Sequence, residues 1–394
     1  MSRLAELIAQ LCPDGVAYRA LGDVAELKRG QAVTRKEIVE GQIPVIAGGR
    51  EPAYYIDCSN RQGETIVIAG SGAYAGFVSF WNEPIFVSDA FSVVVDRGTL
   101  QPRFVYHWLR GRQDAIHALK SGGGVPHVYP KDVAKLRCPI PPLEVQREIV
   151  RILDQFTTLE AELEAELTIR RRQHSFYRSE LLARESLQKR VGVLEYKTLG
   201  DLFETRNGYT PSKQDQTAWD HDDVPWFRME DIRENGGILE SALISISNSA
   251  VKAGRVFPAN SILVATSATI GAHALVTVEH LSNQRFTSLQ PKERACGLFD
   301  PYFLYYYCFL LDEYCLNHTN VSSFASVDMR AFRAFEFPIL PLGVQREIAS
   351  ILDQFTGLET ELEAEIEARR AQCAYYRDRL LSFPEKRVSD KEAS

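Results

Sequence analysis

The chain repeats itself, and this duplication limits its possible folds more than any other feature. The forty residues 143–182 return as 342–381, an offset of 199, with 26 positions identical. A weaker match at an offset of 178 links Tyr18–Gly30 with Tyr196–Gly208. Because similar ends enclose dissimilar middles, the sequence predicts two copies of one frame that carry two different functional surfaces.

The closely matching copies have the apolar spacing of long helices. In the first copy, apolar side chains step by three and four through Ile149, Ile152, Phe156, Leu159 and Leu163, and the second copy repeats the pattern. Forty residues form a helix about 60 Å long. Each helix has a narrow apolar seam, so we expect the two to pack antiparallel as a coiled coil, relating the copies by a pseudo-two-fold axis. The alternative is that each is a core helix of its own domain.

The middles of the two copies combine strands and helices without regular alternation, which is typical of an α+β fold. Strands are predicted at 65–69, 77–81, 91–95, 261–265 and 274–278, and helices at 103–119 and 301–315. The fold class is therefore two mixed α/β domains separated by two long antiparallel coiled-coil helices, as an internal repeat. The predicted boundaries are a first domain at 1–142, a helix at 143–190, a second domain at 191–340, a helix at 341–385 and a polar tail at 386–394.

The charge of the chain argues against a broad nucleic-acid-binding surface. The net charge is −7, and residues 191–340 carry 12 basic and 18 acidic side chains. Phosphate neutralisation needs Lys and Arg. Any DNA-binding face in this segment must therefore be a local basic patch, not a domain-wide field.

Cysteine usage and hydropathy indicate a cytoplasmic protein. The seven cysteines are scattered, without a Cys-x-x-Cys pair or zinc-finger spacing, so we interpret them as reduced thiols and expect no metal site. The most apolar run, Tyr302–Leu311, is too short to span a bilayer. We therefore expect neither secretion nor a membrane partner.

Several sequence motifs resemble those of the specificity (S) subunits of type I restriction-modification systems. The runs Ile140-Pro-Pro-Leu-Glu-Val-Gln-Arg-Glu-Ile149 and Pro341-Leu-Gly-Val-Gln-Arg-Glu-Ile348, each leading into a Glu-rich helix, resemble the conserved regions of that family. The second middle resembles a target recognition domain of the family at Gly208-Tyr-Thr-Pro-Ser-Lys213, Pro225–Asp231, Ala265–Gly271, Asn283-Gln-Arg-Phe286 and Asn320–Ala325.

This resemblance implies a DNA-recognition subunit without catalytic activity. In the family, each target recognition domain reads one half of a bipartite, asymmetric site on double-stranded DNA. The conserved helices set the spacing and dock the methyltransferase (M) subunits, and the restriction (R) subunits join through that core. S-adenosylmethionine, ATP and magnesium belong to those partners, so the resemblance implies no cofactor on this chain.

Candidate DNA-binding residues are polar or basic side chains in Gly-rich or turn-rich segments, where they can reach base edges or phosphates. In the first domain they are Lys28, Arg29, Arg50, Ser71, Tyr74 and His127, and in the second Arg206, Tyr209, Lys213, Arg228, Thr266, Ser267, Thr269, Gln284, Arg285, Asn320 and Ser322. Each of them is also compatible with simple turn chemistry. Candidate partner-binding residues on the long helices are Arg170, Arg171, Arg369 and Arg370.

Other functions have weaker support. The Gly-rich run Ala69–Gly76 lacks the Gly-Lys-Ser/Thr of a phosphate loop. Asp300-Pro-Tyr-Phe303 loosely resembles a methyltransferase motif, but the first copy has Gln101-Pro-Arg-Phe104 in its place, which favours a role in starting a helix. Two alternatives remain: a specificity module that serves a methyltransferase alone or a related combined enzyme, and a coiled-coil scaffold with no DNA role.

Overall fold

The computed structural model describes residues 3–33, 39–122, 124–320 and 325–386, which form two compact units. Unit 1 contains the described residues up to Glu166 and those from Leu362 onward. Unit 2 contains Leu167–Glu361. Each unit therefore includes one end of each long helix.

Unit 1 is built on a four-stranded sheet of order β2-β8-β5-β6, a three-stranded sheet β4-β3-β7 and the pair β1-β9. Its elements up to the first long helix are α1 (Arg3–Leu11), β1 (Ala17–Ala20), α2 (Leu21–Val24), β2 (Ala25–Arg29), β3 (Ile43–Ile46), β4 (Tyr55–Ile56), β5 (Thr65–Ala69), β6 (Val78–Trp81), β7 (Phe86–Val87), β8 (Ala90–Val95), α3 (Pro102–Arg110), α4 (Gln113–Ala118), α5 (Pro130–Val133) and β9 (Arg137–Ile140). The long helix α6 (Leu143–Leu182) follows.

Unit 2 repeats this plan with an added edge strand and an added two-stranded pair. Its sheets have the orders β11-β18-β15-β16-β13, β14-β12-β17, β10-β21 and β19-β20. The elements are α7 (Arg184–Val191), β10 (Glu195–Thr198), α8 (Leu199–Leu202), β11 (Phe203–Asn207), β12 (Val224–Phe227), α9 (Met229–Asn235), β13 (Ile238–Leu239), β14 (Ser245–Ile246), β15 (Ser261–Ala265), β16 (His273–Val276), β17 (Leu281–Ser282), β18 (Phe286–Pro291), α10 (Pro301–Asn317), β19 (Thr319–Asn320), β20 (Ser326–Val327), α11 (Met329–Ala334), β21 (Glu336–Ile339) and the long helix α12 (Leu342–Leu380).

The pairing of the shared strands is the same in both units, even where their sequences have diverged. In unit 1, β3 pairs parallel with β7 so that Val45 faces Phe86, and in unit 2 β12 pairs parallel with β17 so that Trp226 faces Leu281. The central antiparallel pairs β2-β8-β5 and β11-β18-β15 correspond in the same way. The predicted α+β class and internal repeat are confirmed. The added strand β13 belongs to a longer connection between β12 and β14, which contributes to the greater length of the second copy.

Each long helix closes the core of the domain that precedes it. Val145, Ile149 and Leu153 of α6 are fully buried with Phe104 and Trp108 in unit 1. In unit 2 the corresponding residues of α12 include Ile348 and Leu352, which are buried with Phe303. The alternative prediction of a core helix therefore holds for the first turns of both helices.

Beyond these turns the long helices pack against each other in antiparallel directions. In unit 1 the ring of Phe156 on α6 stacks on that of Tyr376 on α12, with 5.6 Å between centroids. Arg370 of α12 forms an ion pair with Glu160 of α6. In unit 2 Tyr177 stacks on Phe355 at 5.4 Å. Residue numbers rise along α6 as they fall along α12 in both units. The predicted antiparallel pairing is confirmed within each unit.

Two predicted helices differ from the structure. The segment 103–119 is not one helix, because α3 ends at Arg110, and Arg112 takes φ −114° and ψ 20° before α4 begins. The helix predicted to continue to residue 190 ends at Leu182, and Ala183 is extended before α7. This second break allows Leu182 and Leu187 both to enter the core of unit 2. The predicted seam is also incomplete, since Leu159 is 36% and its counterpart Leu358 is 44% exposed.

Candidate nucleic-acid interface

An open cleft of about 580 Å³ in unit 2 brings together four of the predicted DNA-binding residues, Lys213, Arg228, Gln284 and Arg285. Its other lining residues are Thr210, Trp219, Trp226, Glu230, Ile244 and Asn283. Three cations share this cleft with one carboxylate. The acidic second domain therefore contains the local basic patch that its charge balance requires of a DNA-binding face.

Turns and aromatic packing fix the side chains of this cleft. The side-chain oxygen of Asn283 accepts a hydrogen bond from the backbone N–H of Arg285 at 3.0 Å. The Thr210 hydroxyl lies 2.6 Å from Oε1 of Gln284, which directs the amide nitrogen of Gln284 away from Thr210. The indole of Trp226 packs edge-on against Trp219, 5.3 Å between centroids. The cleft thus has a rigid floor beneath exposed polar side chains.

Other predicted residues of unit 2 have structural partners. The Arg206 guanidinium lies 4.7 Å from the ring centre of Phe257 and donates to the backbone of Arg255. The hydroxyl of Tyr209 donates to the carbonyl of Ala250. Thr266 is buried. Its hydroxyl lies 2.8 Å from that of Thr287 on the neighbouring strand.

The remaining described predictions in unit 2 lie in or near the short pair β19-β20. Ser267 forms an isolated bridge with Ser326, and its carbonyl accepts from the backbone N–H of Thr269. Asn320 is exposed in β19. Ser322 lies outside the described residues. Ser267, Thr269 and Asn320 are not part of the lining of the cleft.

A second, smaller cleft of about 230 Å³ lies in unit 1. Like the cleft of unit 2, it includes residues of the loop between β7 and β8, which corresponds to the loop between β17 and β18, but its other lining residues come from different parts of the frame. Among its lining residues are the predicted Arg29 and His127, together with Asp89 and Tyr129. The imidazole of His127 stacks on the Tyr129 ring, 6.0 Å between centroids. The predicted Ser71 is buried beneath and donates its hydroxyl hydrogen to the carboxylate of Asp89.

The other predicted residues of unit 1 lie outside this cleft's lining. The Arg50 guanidinium sits over the ring of Tyr74, 4.9 Å from its centre. Tyr74 is 44% exposed, so the two form a surface cation–π pair. Lys28 is exposed on β2, and its carbonyl accepts from Arg61.

Comparison with known proteins establishes the family. A family model described as the type I restriction modification DNA specificity domain matches residues 13–169 and 194–368. The chain belongs to this family.

Curated relatives of the chain are named as specificity subunits of type I restriction enzymes. The EcoR124I/EcoR124II specificity subunit of Escherichia coli is 31% identical over 301 residues, which are 72% of this chain and 71% of that relative. The EcoprrI specificity subunit of Escherichia coli is 53% identical over 224 residues. That match covers 54% of this chain and 56% of the EcoprrI subunit. The chain thus spans little more than half the length of this relative.

Solved structures share the fold of the specificity subunit. The S subunit from M. genitalium superposes with a TM-score of 0.58 at 17% identity, covering 93% of this chain and 96% of that one. A second solved chain, from a study of complex assembly and conformational transition of the type I R-M system, superposes with a TM-score of 0.58 at 19% identity. It covers 94% of this chain and 98% of that one. The architecture of two recognition domains with long helices is therefore that of type I specificity subunits.

The predicted partner-binding arginines of this specificity subunit differ in their contacts. In unit 1, Arg370 of α12 forms ion pairs with Glu160 and Glu164 of α6, whereas Arg369 pairs with Glu365 of its own helix at 2.7 Å. In unit 2, Arg171 lies 4.0 Å from Glu359. Arg170 donates to Gln173.

Exposed aromatic residues on the long helices were missed by the sequence analysis. Phe176 is 60% exposed and Tyr375, its counterpart in the repeat, is 59% exposed. Tyr177 and Tyr376 beside them are partly exposed. Large apolar side chains at the surface are typical of protein interfaces. The shared aromatic pair at the same place in both copies was a visible signal for them.

Asp89 and Tyr129 were also missed in the first recognition domain. Two residues, Ser88 and Asp89, connect β7 to β8, whereas three, Asn283, Gln284 and Arg285, connect β17 to β18, so the segments cannot be aligned by inspection. Only the strand pairing makes them correspond.

Within residues 3–33, 39–122, 124–320 and 325–386, no group of three or more His, Cys, Asp or Glu side chains is arranged to hold a metal ion. No helix in the same ranges is both long enough and apolar enough to cross a membrane.

Proposed function

We propose that this chain is the DNA-reading subunit of a type I restriction-modification complex and performs no chemistry itself. Each recognition domain reads one half of a bipartite, asymmetric site. The long helices dock methyltransferase and restriction subunits. S-adenosylmethionine, ATP and magnesium are bound by those partners.

The observation that carries this proposal is a repeated frame whose two domains present differently charged clefts beside one equivalent loop. The cleft of unit 2 presents Lys213, Arg228 and Arg285, while that of unit 1 presents Arg29, His127 and Asp89. Direct readout needs donors and acceptors that differ from site to site on a constant support. Two identical half-sites would need no such difference.

The long helices support the docking part of the proposal. Their surfaces combine the arginines at 170, 171, 369 and 370 with the exposed aromatic pairs Phe176-Tyr177 and Tyr375-Tyr376. Aromatic and Arg side chains dominate the binding energy of protein interfaces. The helix faces are thus suited to partner subunits.

Exchange of one recognition domain tests the proposal. Residues 191–340 are replaced by the corresponding segment of another specificity subunit, and the chimera is expressed with its methyltransferase and restriction partners. Methylation mapping of the host genome is expected to show one half of the motif changed and the other half unaltered. A simultaneous change in both halves would rule out independent readers.

A gel-shift assay distinguishes a DNA reader from a coiled-coil scaffold. The chain is purified with its methyltransferase subunit and mixed with DNA that contains the mapped motif. Binding is expected to weaken steeply with salt and to exceed binding to a scrambled control. Equal affinity for both DNAs contradicts the proposal. A neighbouring gene for an ATP-driven motor subunit separates a full restriction complex from a methyltransferase alone.

A further inference from the structure

The two recognition domains place opposite charges at one equivalent position. The backbone N–H of Gly30 bonds to Ala90 O, as that of Gly208 bonds to Phe286 O. One residue earlier, the carbonyl of Asp89 accepts from Gly70 N–H and that of Arg285 accepts from Thr266 N–H. Asp89 in unit 1 and Arg285 in unit 2 therefore occupy the same place in the repeated frame.

The carboxylate of Asp89 is an exposed and oriented hydrogen-bond acceptor. Ser71, which is buried, donates to its Oδ2 atom. No protein group in the described part of the chain bonds to Oδ1, and Asp89 is exposed at the cleft with Arg29 and His127. The buried hydroxyl thus holds one oxygen, and the other has no protein donor among the described residues.

The guanidinium of Arg285 is an exposed donor at the equivalent point. Its backbone is fixed by the Asn283 side chain. Its side chain has neither an ion pair nor a hydrogen bond among the residues that the structure describes, and it lines the cleft with Gln284. Asp89 and Arg285 therefore offer opposite hydrogen-bond polarity from the same backbone position.

The polarity of these groups limits what each can face on DNA. A carboxylate is repelled by phosphates, whereas it can accept a hydrogen bond from a base amine in the major groove. Cytosine offers N4 without a neighbouring acceptor, whereas adenine places N7 beside its amine. A guanidinium matches the two acceptors O6 and N7 of guanine.

On the basis of the proposed function, we propose that Asp89 and Arg285 are specificity-determining residues of opposite polarity. Asp89 accepts a hydrogen bond from cytosine N4 in the half-site read by unit 1. Arg285 donates to guanine O6 and N7 in the half-site read by unit 2. Ser71 acts as a positioning residue for Asp89.

Methylation mapping of the complete complex tests this assignment. The wild-type chain, Asp89→Asn and Arg285→Gln are each expressed with the methyltransferase subunit. Glu83→Gln serves as a control, because Glu83 is an exposed carboxylate outside the cleft. Since Asn and Gln match adenine N6 and N7, each variant is expected to lose about tenfold or more of its preference for C or G at one position and to accept A there. The control leaves the motif unchanged.

The outcomes separate this inference from the proposed function. If the wild-type chain directs methylation to no bipartite motif, the proposed function fails. If it does so but a half-site contains only A·T pairs, or either variant keeps the wild-type motif, this inference alone is overturned. Where a variant no longer methylates, binding of its complex to oligonucleotides with each base at that position decides. Loss of one base preference supports the assignment, and an equal loss for all four bases overturns it.

Discussion

The two halves of the molecule are alike where side chains are buried and different where they are exposed. Gln146 and Gln345 are fully buried at the starts of the two long helices and make the same three hydrogen bonds to backbone groups. At the surface, Asp89 of unit 1 occupies the position that Arg285 occupies in unit 2. The comparison teaches that the support is fixed by buried polar bonds, which leaves the clefts free to change without loss of the fold.

An intermediate level of similarity lies between these extremes. Asp154 of α6 and Asp353 of α12 are equivalent, yet the first contacts His107 Nε2 at 2.7 Å and the second accepts from the Tyr306 hydroxyl at 2.7 Å. His107 and Tyr306 are themselves equivalent in the repeat. The helix carboxylate is therefore kept while its partner in the domain varies between two ring donors.

The largest effect is expected when the shared glutamine is removed. Gln146→Leu and Gln345→Leu each leave one backbone N–H and two carbonyls without their partner, and unsatisfied buried groups cost about 1–3 kcal/mol each. We expect the free energy of unfolding to fall by about 4 kcal/mol in each variant, measured by urea denaturation. The exposed Gln188→Leu is the control. If only one of the two variants lost little stability, the two glutamines would not have equivalent roles.

Acid is expected to affect the two halves differently at one buried position. His280 of unit 2 corresponds to Ile85 of unit 1, and desolvation lowers the pKa of His280 to about 4. The unfolded state binds a proton near pH 6.5, so stability present above that pH is lost as pH falls from 6.5 to 4. The loss amounts to about 3 kcal/mol.

His280→Ile, which installs the residue of unit 1, tests this difference. The imidazole packs between Phe227 and Phe257. Denaturation curves between pH 7 and pH 4 are expected to show a smaller acid-induced loss of stability in the variant than in the wild type. Parallel pH profiles would show that His280 is not the source of acid sensitivity.

Charge reversal on the long helices should separate packing from docking. Arg370→Glu places a third negative charge beside Glu160 and Glu164, so we expect it to destabilise unit 1 by about 1–2 kcal/mol. Arg369→Glu disrupts contacts with Glu365 and Gln372 of its own helix only and should cost about 0.5 kcal/mol. Thermal unfolding measures both. Weaker co-purification of the methyltransferase subunit with Arg369→Glu would assign this face to docking, and unchanged co-purification would make Arg369 an ordinary surface residue.

A further small effect, of opposite sign, is expected at a position in the first turn where the second long helix differs from the first. Gly343 stands where the first copy has Glu144, in the first turn of α12, and a Cβ at Gly343 would meet nothing within 4 Å. Gly343→Glu adds helix propensity and a negative charge near the helix N-terminus, for a gain of about 1 kcal/mol. The melting temperature should rise slightly. A fall would show that the two helix starts are not equivalent.

The frame was predictable from the sequence because buried apolar periodicity and repeated words are local signals. The strand at Thr65–Ala69 has the predicted limits, and the long helices have 40 and 39 residues. The end of α6 at Leu182 was not predictable, because it depends on burying Leu187 in a core formed by distant residues.

The clefts were only partly predictable. Lys213, Arg228, Gln284 and Arg285 were found because they are polar residues in turn-rich segments. Thr266 has the same local character, but its hydroxyl is satisfied by Thr287 on a neighbouring strand, and strand pairing cannot be read from either segment alone. Asp89 was overlooked for the same reason, since its correspondence with Arg285 depends on register.

The closure of unit 1 by the end of α12 has a consequence for how the protein is made. The Tyr18 hydroxyl donates to the carbonyl of Phe383, 365 residues later in the chain, and Leu381 is part of the core of unit 1. At about 5–20 residues per second, a ribosome needs roughly 20–70 s to supply these partners. Unit 2 is contiguous and can complete its core earlier. The domain that leaves the ribosome first is therefore the last to finish folding, and its unfinished apolar surface is what a chaperone would meet during synthesis.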